Sequence, residues 1–174
     1  MKFSTQEEYG LRCLLRLAKA GNSKGMTIPE ISALEGLSKA NVAKILRILR
    51  IGGFIESVRG QAGGYKLKLA PEEMKLSDVL EVLGGKLFDH TFCTDHAGQG
   101  AVCHNTIDCS IRSLWRTVQG VLDQVLSNMT LNDLVQSEQK MASQLLFQSE
   151  KVLDTFQITQ EKSASEAAAV QVND

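Results

Sequence analysis

Two prolines are all that this 174-residue chain contains, and aromatic residues make up only 5% of it. Scarcity of both leans toward helices and away from a β-sandwich or barrel. No apolar run approaches the roughly 18 residues that a membrane span needs. The opening MKFSTQEEYG lacks the apolar stretch of a secretory signal. None of the four cysteines forms a C-x-x-C pair, which removes thioredoxin-type redox motifs and the paired ligands of zinc ribbons. Four thiols in a leaderless chain suit the reducing cytoplasm, and that is the expected compartment, with no membrane partner. At 43% hydrophobic residues the chain has material for a real core, so wholesale disorder is excluded.

The net charge of −1 hides an asymmetry. Residues 1–70 carry 12 Lys and Arg against 5 Asp and Glu, a net of +7; residues 71–174 carry 7 against 15, a net of −8. The N-terminal half is built to meet a polyanion and the C-terminal half is not.

Apolar spacing predicts a helix from Glu7 to Ala20, with Leu11, Leu14, Leu15 and Ala18 on one face. Thr27, ahead of Ile28, Pro29 and Glu30, reads as the N-cap of a short helix to about Glu35. Gly36 suits a helix C-terminus. Ser38 then caps a third helix running to about Arg50, whose stripe is Val42, Ile45, Leu46 and Leu49. Its opposite face carries Lys39, Ala40, Ala43, Lys44 and Arg47. Two helices joined by a tight glycine turn, the second with a small and basic outer face, suit a helix-turn-helix or an ordinary helical hairpin.

The next segment favours the helix-turn-helix. Phe54–Val58 and Tyr65–Leu69 read as strands around the flexible tip Arg59-Gly-Gln-Ala-Gly-Gly64, a two-stranded β-wing. The expected DNA contacts are Ser38, Lys39, Ala40, Asn41, Lys44 and Arg47 on the helix and Arg59 on the wing. Lysine and arginine meet phosphates, and asparagine can read adenine.

Met74–Val82 is a further short helix ending at Gly84-Gly85. Residues 88–110 lose periodicity and hold Cys93, Cys103 and Cys109 together with His90, His96 and His104. A long helix from Ser110 to about Asn128 carries a seam of Ile111, Leu114, Trp115, Val118, Val121, Leu122 and Val125. That is more apolar surface than the N-terminal module can cover, so it is expected to hold a homodimer. Thr130-Leu-Asn-Asp133 opens another helix, expected to continue loosely to about residue 156. Residues 160–174 read as a disordered tail. The expected class is therefore mainly α: a winged helix-turn-helix DNA-binding domain over 1–83, a cysteine-rich loop over 84–109, and a dimerisation helix with a C-terminal helix over 110–159.

The spacing C-x9-C-x5-C leaves an iron–sulfur cluster, zinc and incidental thiols open. Cys13, on the first helix, reads as a small buried residue. An enzyme of the thiol oxidoreductase class would need a second acid–base group that the chain does not display.

Several of these segments together resemble a known family. Met1-Lys-Phe-Ser4 into Tyr9-Gly-Leu-Arg12, Ile28-Pro-Glu-Ile31, Leu46-Arg-x-Leu-x-x-Gly-Gly53 and Leu114-Trp115 carry the likeness. So do the wing Val58-Arg-Gly-x-x-Gly-Gly-Tyr65 and Met129-Thr-Leu-x-Asp-Leu134. The chain is similar to the IscR/NsrR family of bacterial winged-helix regulators over roughly residues 1–135. The resemblance implies a homodimer on a pseudo-palindromic operator, acting most often as a repressor, with no small-molecule substrate. It implies an iron–sulfur cluster, [2Fe–2S] before [4Fe–4S], held by Cys93, Cys103 and Cys109 and sensing redox, nitric oxide or iron–sulfur status. The first cysteine gap is nine residues where the family usually has five. The histidine that serves IscR as fourth ligand, three residues past the last cysteine, falls on Arg112, which has no lone pair to give. In NsrR-like members a carboxylate of the first helix comes from the other subunit, and the matching position is Glu8; His96 and His104 are rivals. A zinc-bound or cluster-free regulator of the same fold, sensing by thiol oxidation, is the alternative.

Overall fold

In the computed structural model the described residues are 4–21, 25–58, 63–89, 91–97, 99, 102, 103, 105 and 107–147. Three helix starts are written locally. Ser4 Oγ accepts from the Glu7 N–H while the Glu7 carboxylate accepts from the Ser4 N–H, a capping box that opens α1 (Thr5–Ala20). The helix therefore starts two residues before the expected Glu7. Thr27 and Glu30 make the same reciprocal pair at α2 (Ile28–Glu35), with Pro29 in its first turn. Gly36 ends α2 at φ 65°, a left-handed conformation that a side chain would resist. Ser38 Oγ then accepts from the Asn41 N–H and opens α3 (Lys39–Ile51).

The chain turns at Gly52-Gly53 into β1 (Ile55–Val58), which pairs antiparallel with β2 (Gly64–Leu67) in the register Ile55↔Leu67 to Val58↔Gly64. Next come α4 (Leu76–Gly84), the one-turn α5 (Phe92–Asp95), α6 (Ser110–Leu126) and α7 (Leu131–Val135). The core of the described residues gathers Leu14 and Leu17 of α1, Ile31 of α2, the Val42/Ile45/Leu46/Leu49 stripe of α3, Leu67 of β2 and Val79 of α4. The expected apolar stripe of α3 is wholly buried.

Three expectations need correction. α4 starts at Leu76, because Met74 and Lys75 form an extended stretch: Leu76 N–H bonds Met129 O, and Leu131 N–H bonds Met74 O, both at 2.9 Å. The stretch expected to be irregular contains α5, because the Asp89 carboxylate accepts from the N–H groups of Thr91 and Phe92 and starts a turn. The helix expected to run from Thr130 to about 156 stops at Val135. Leu131 and Leu134 are drawn onto the core, and Gln136 takes extended backbone. By contacts, residues 1–136 form one compact unit and 137–174 a second. In the second unit residues 138–147 are helical. The tail expected over 160–174 lies outside the described residues.

Candidate nucleic-acid interface and cysteine segment

The outer face of α3 is set by its stripe. With Val42, Ile45, Leu46 and Leu49 turned to the core, the intervening positions must face solvent. Ser38, Lys39, Ala40, Asn41, Lys44 and Arg47 are all exposed, and Ala43 is half-buried. The face therefore offers three cations, one amide and small residues that permit close approach to a groove. Leu37 is buried beneath the turn.

The wing is held close to this helix pair. Met26, just before α2, pairs with Tyr65 through two 2.8 Å backbone hydrogen bonds. Gly64 makes that approach feasible: a Cβ there would stand 2.6 Å from Met26 O. Arg59, the expected wing contact, lies outside the described residues.

One feature of this unit has no counterpart in the sequence pattern. Glu35, the last residue of α2, accepts from Arg12 Nε at 2.9 Å and Arg16 Nε at 2.6 Å, and its side chain is only 9% exposed. Burial pushes the Glu35 carboxyl up, but the two arginines outweigh it and hold the group below the usual carboxylate range. This double ion pair ties the end of α2, immediately ahead of α3, to α1. Arg12 and Arg16 share a helix face at i, i+4, but only the fold brings Glu35 to them. Burial also pushes the nearby Cys13 thiol up to about 11, assisted by the Glu35 charge and opposed by Arg12. Cys13 is fully buried, as expected.

The other cysteines differ. Cys93 sits on α5, Cys103 on the connection, and Cys109 at the N-cap of α6, where its Sγ accepts from the Arg112 N–H at 3.3 Å. All three are free and half-buried. Cys93 lines a groove of about 950 Å³ between the end of α4 and α6, together with Phe88, Arg112 and Arg116. His96 stacks on Phe92 and its Nδ1 meets Phe92 O at 2.8 Å, so its ring is anchored on its own turn. His90 and His104 lie outside the described residues. Glu8 is exposed on the first turn of α1, while Glu7 is engaged in the capping box.

α6 buries none of its residues completely. Ile111 is 60% and Leu114 57% exposed, and Trp115, Val118, Val121, Leu122 and Val125 are half-buried.

Helix pair, wing, cysteine segment and a partly exposed long helix are matched together by one family profile, described as Rrf2, iron-dependent transcriptional regulator, over residues 3–137. The chain belongs to the Rrf2 family. Protein rrf2 of Nitratidesulfovibrio vulgaris (strain Hildenborough) is 30% identical over 135 residues, 78% of this chain and 87% of that one. The HTH-type transcriptional regulator CymR of Bacillus subtilis is 28% identical over 134 residues, covering 77% and 89%. Among solved structures, T. potens IscR superposes with a TM-score of 0.61 at 28% identity, covering 78% of this chain and 86% of that one. CymR, described as the global cysteine regulator of B. subtilis, superposes with a TM-score of 0.61 at 27% identity, covering 78% and 96%.

The expected architecture is thereby established: an Rrf2 winged-helix regulator that binds DNA. The thiol oxidoreductase alternative falls away, since Rrf2 proteins are transcriptional regulators and not enzymes. Among the described residues no helix is long and apolar enough to cross a membrane.

Three free thiols between α4 and α6 form the soft donor set that iron–sulfur clusters and zinc both take. The Arg112 N–H directed at Cys109 Sγ fixes the position of that sulfur at the start of α6. The donor chemistry fits such a group. The described residues hold no assembled cage of three or more Cys, His, Asp or Glu.

Proposed function

We propose that this Rrf2 protein is a cytoplasmic, homodimeric repressor whose operator affinity is set by an iron–sulfur cluster responding to redox, nitric oxide or iron–sulfur status. The observation that carries the reading is the position of three free thiols between the DNA-reading module (residues 1–83) and the partly exposed seam of α6. Cys103 and Cys109 would hold the group, with Cys93 completing the thiolates. Glu8, exposed on α1, would reach across from a second copy as the fourth ligand. Bound there, the cluster supplies a redox- and nitric oxide-reactive centre; [2Fe–2S] is the first form to test against [4Fe–4S]. The chain itself does the reading of DNA. Ser38, Lys39, Lys44, Arg47 and Arg59 serve the backbone, while Asn41 and Ala40 stand at the base edges. Ile111, Leu114 and Val118 of α6 would meet their copies across a two-fold axis, an apolar contact independent of the cluster.

The second reading is a cluster-free or zinc-bound regulator sensing by thiol oxidation. The similarity to CymR and the unassembled cysteines favour it. Colour separates the two. Anaerobically purified protein should absorb in the visible, with iron and sulfide counts giving the nuclearity. Cys103→Ser and Cys109→Ser should each bleach it and leave the fold intact, because the thiols lie outside the buried core. Colourless wild-type protein without iron would refute the cluster reading.

A further inference from the structure

The last carbonyls of a helix have no partner within it, and α4 has no basic residue in its last turn to serve them. One of them, Leu83 O, accepts from the Gln6 side-chain amide of α1. Beside it the Glu7 side chain lies flat against Gly84: a Cβ on Gly84 would stand 2.5 Å from Glu7 Cδ and Oε1. One turn further, a Cβ on Gly10 would stand 2.4 Å from Leu83 Cδ1. Two glycines and one hydrogen bond thus seat the start of α1 directly on the end of α4.

That end is the root of the cysteine segment. Gly85 comes at once, and the Phe88 N–H donates to the Gln119 side chain of α6. On its other side the same turn of α1 shares a groove with the DNA-facing surface: Ser4, Gln6 and Tyr9 line it together with Asn41 and Lys44 of α3. The first turns of α1 therefore pack on the root of the cysteine segment and line a groove with the recognition helix, and further along α1 Leu14 and Leu17 share the buried core with Ile45 and Leu46 of α3.

We propose that the Gln6–Leu83 hydrogen bond and the Glu7–Gly84 contact form a joint that passes the state of the cysteine segment to α3, with Gln6 as its positioning residue. The inference rests on the cluster reading. Close packing of this kind transmits displacement, because an interface without slack shifts as a body. A segment tied by a ligand holds Gly84 and Leu83 in one place; a released segment lets them move, and α1 moves with them through Gln6 and Glu7.

The test uses full-length protein and a duplex recovered from random-sequence DNA by selection with the wild type. Affinity is measured for cluster-loaded and cluster-free protein, and the ratio of the two Kd values is the readout. Gln6→Met keeps the reach and removes the donor. Its visible absorbance should match the wild type while the ratio moves toward one by about threefold or more. Gln6→Lys restores a donor, with a charge suited to a helix C-terminus, and should return the ratio to within about twofold of wild type. Gly84→Ala should reproduce the loss; where it fails to fold, the Gln6 pair still decides. A merely structural role would lower stability in both states and leave the ratio alone. Coloured Gln6→Met with the wild-type ratio, or no recovery in Gln6→Lys, overturns the joint alone. A colourless wild type, or a wild-type ratio of one, overturns the cluster reading and the joint with it.

Discussion

Leu131→Ala tests whether the chain after α6 is part of the DNA-binding unit's core or an accessory to a dimer arm. The sequence alone leaves the place of Leu131 open, since it comes after a helix that leads away from the N-terminal module. In the structure it is completely buried. Its N–H bonds Met74 O, and its side chain joins the cluster that holds Leu14, Ile31 and Leu46. Truncation removes three buried carbons, worth about 2.4 kcal/mol at about 0.8 kcal/mol each. Incomplete collapse of the site adds a cavity cost, which brings the expected loss to about 3–4 kcal/mol. For a folded unit of this size that lowers Tm by about 10 °C. Denaturant titration at one fixed protein concentration gives the number, because association of copies would otherwise shift the midpoint. Leu34→Ala is the control: Leu34 is 55% exposed on α2 and should cost less than about 0.5 kcal/mol. A loss below about 1 kcal/mol for Leu131→Ala would refute the packing argument, since no buried leucine in a close-packed core is that cheap to remove.

Lys44→Ala should weaken DNA binding by about 1 kcal/mol at moderate salt and lower the slope of log Kd against log salt by about one, whatever the sequence of the duplex; an unchanged slope would take Lys44 off the interface. Glu35 has a lowered carboxyl pKa in the fold, so its contribution is full above the ordinary carboxylate value and is lost as pH falls through the lowered one. Glu35→Gln should cost about 1–2 kcal/mol at pH 7 after allowance for the part-exposed arginines, and should flatten the acid limb of a stability–pH curve below about pH 4.5. A parallel acid limb in wild type and variant would contradict this. Leu114→Asp combined with Val118→Asp would place carboxylates in the proposed seam and should give monomers in sedimentation velocity; dimers of wild-type stability would move the seam elsewhere.

The parts of the fold legible in the sequence are those settled within a few residues. Thr27 with Glu30 and Ser38 with Asn41 open their helices through side-chain bonds three residues long, so their boundaries read correctly. The α3 stripe also reads correctly, because 3.6-residue periodicity leaves only one face for Lys39, Asn41, Lys44 and Arg47 once Val42 and Leu46 are inside. The capping box at Ser4 carried the same kind of signal and could have placed the start of α1 at Thr5. The wing announced itself through strand alternation around a glycine-rich tip.

Other features depend on partners far apart along the chain. Glu35 meets Arg12 and Arg16 because α1 and α2 pack, not because of any spacing between positions 12 and 35. Gln6 finds Leu83 O across 77 residues. α7 ends at Val135 although its apolar pattern runs on: Leu131 and Leu134 are held by the core, and Gln136 takes extended backbone. The three half-buried cysteines show why a ligand set cannot be read from order alone: thiol chemistry is a property of each residue, but its convergence depends on the path of the backbone between them. Local hydrogen bonds and helical period are written in adjacent residues; burial, ion pairing and the joint between α1 and α4 exist only once distant segments share the same space.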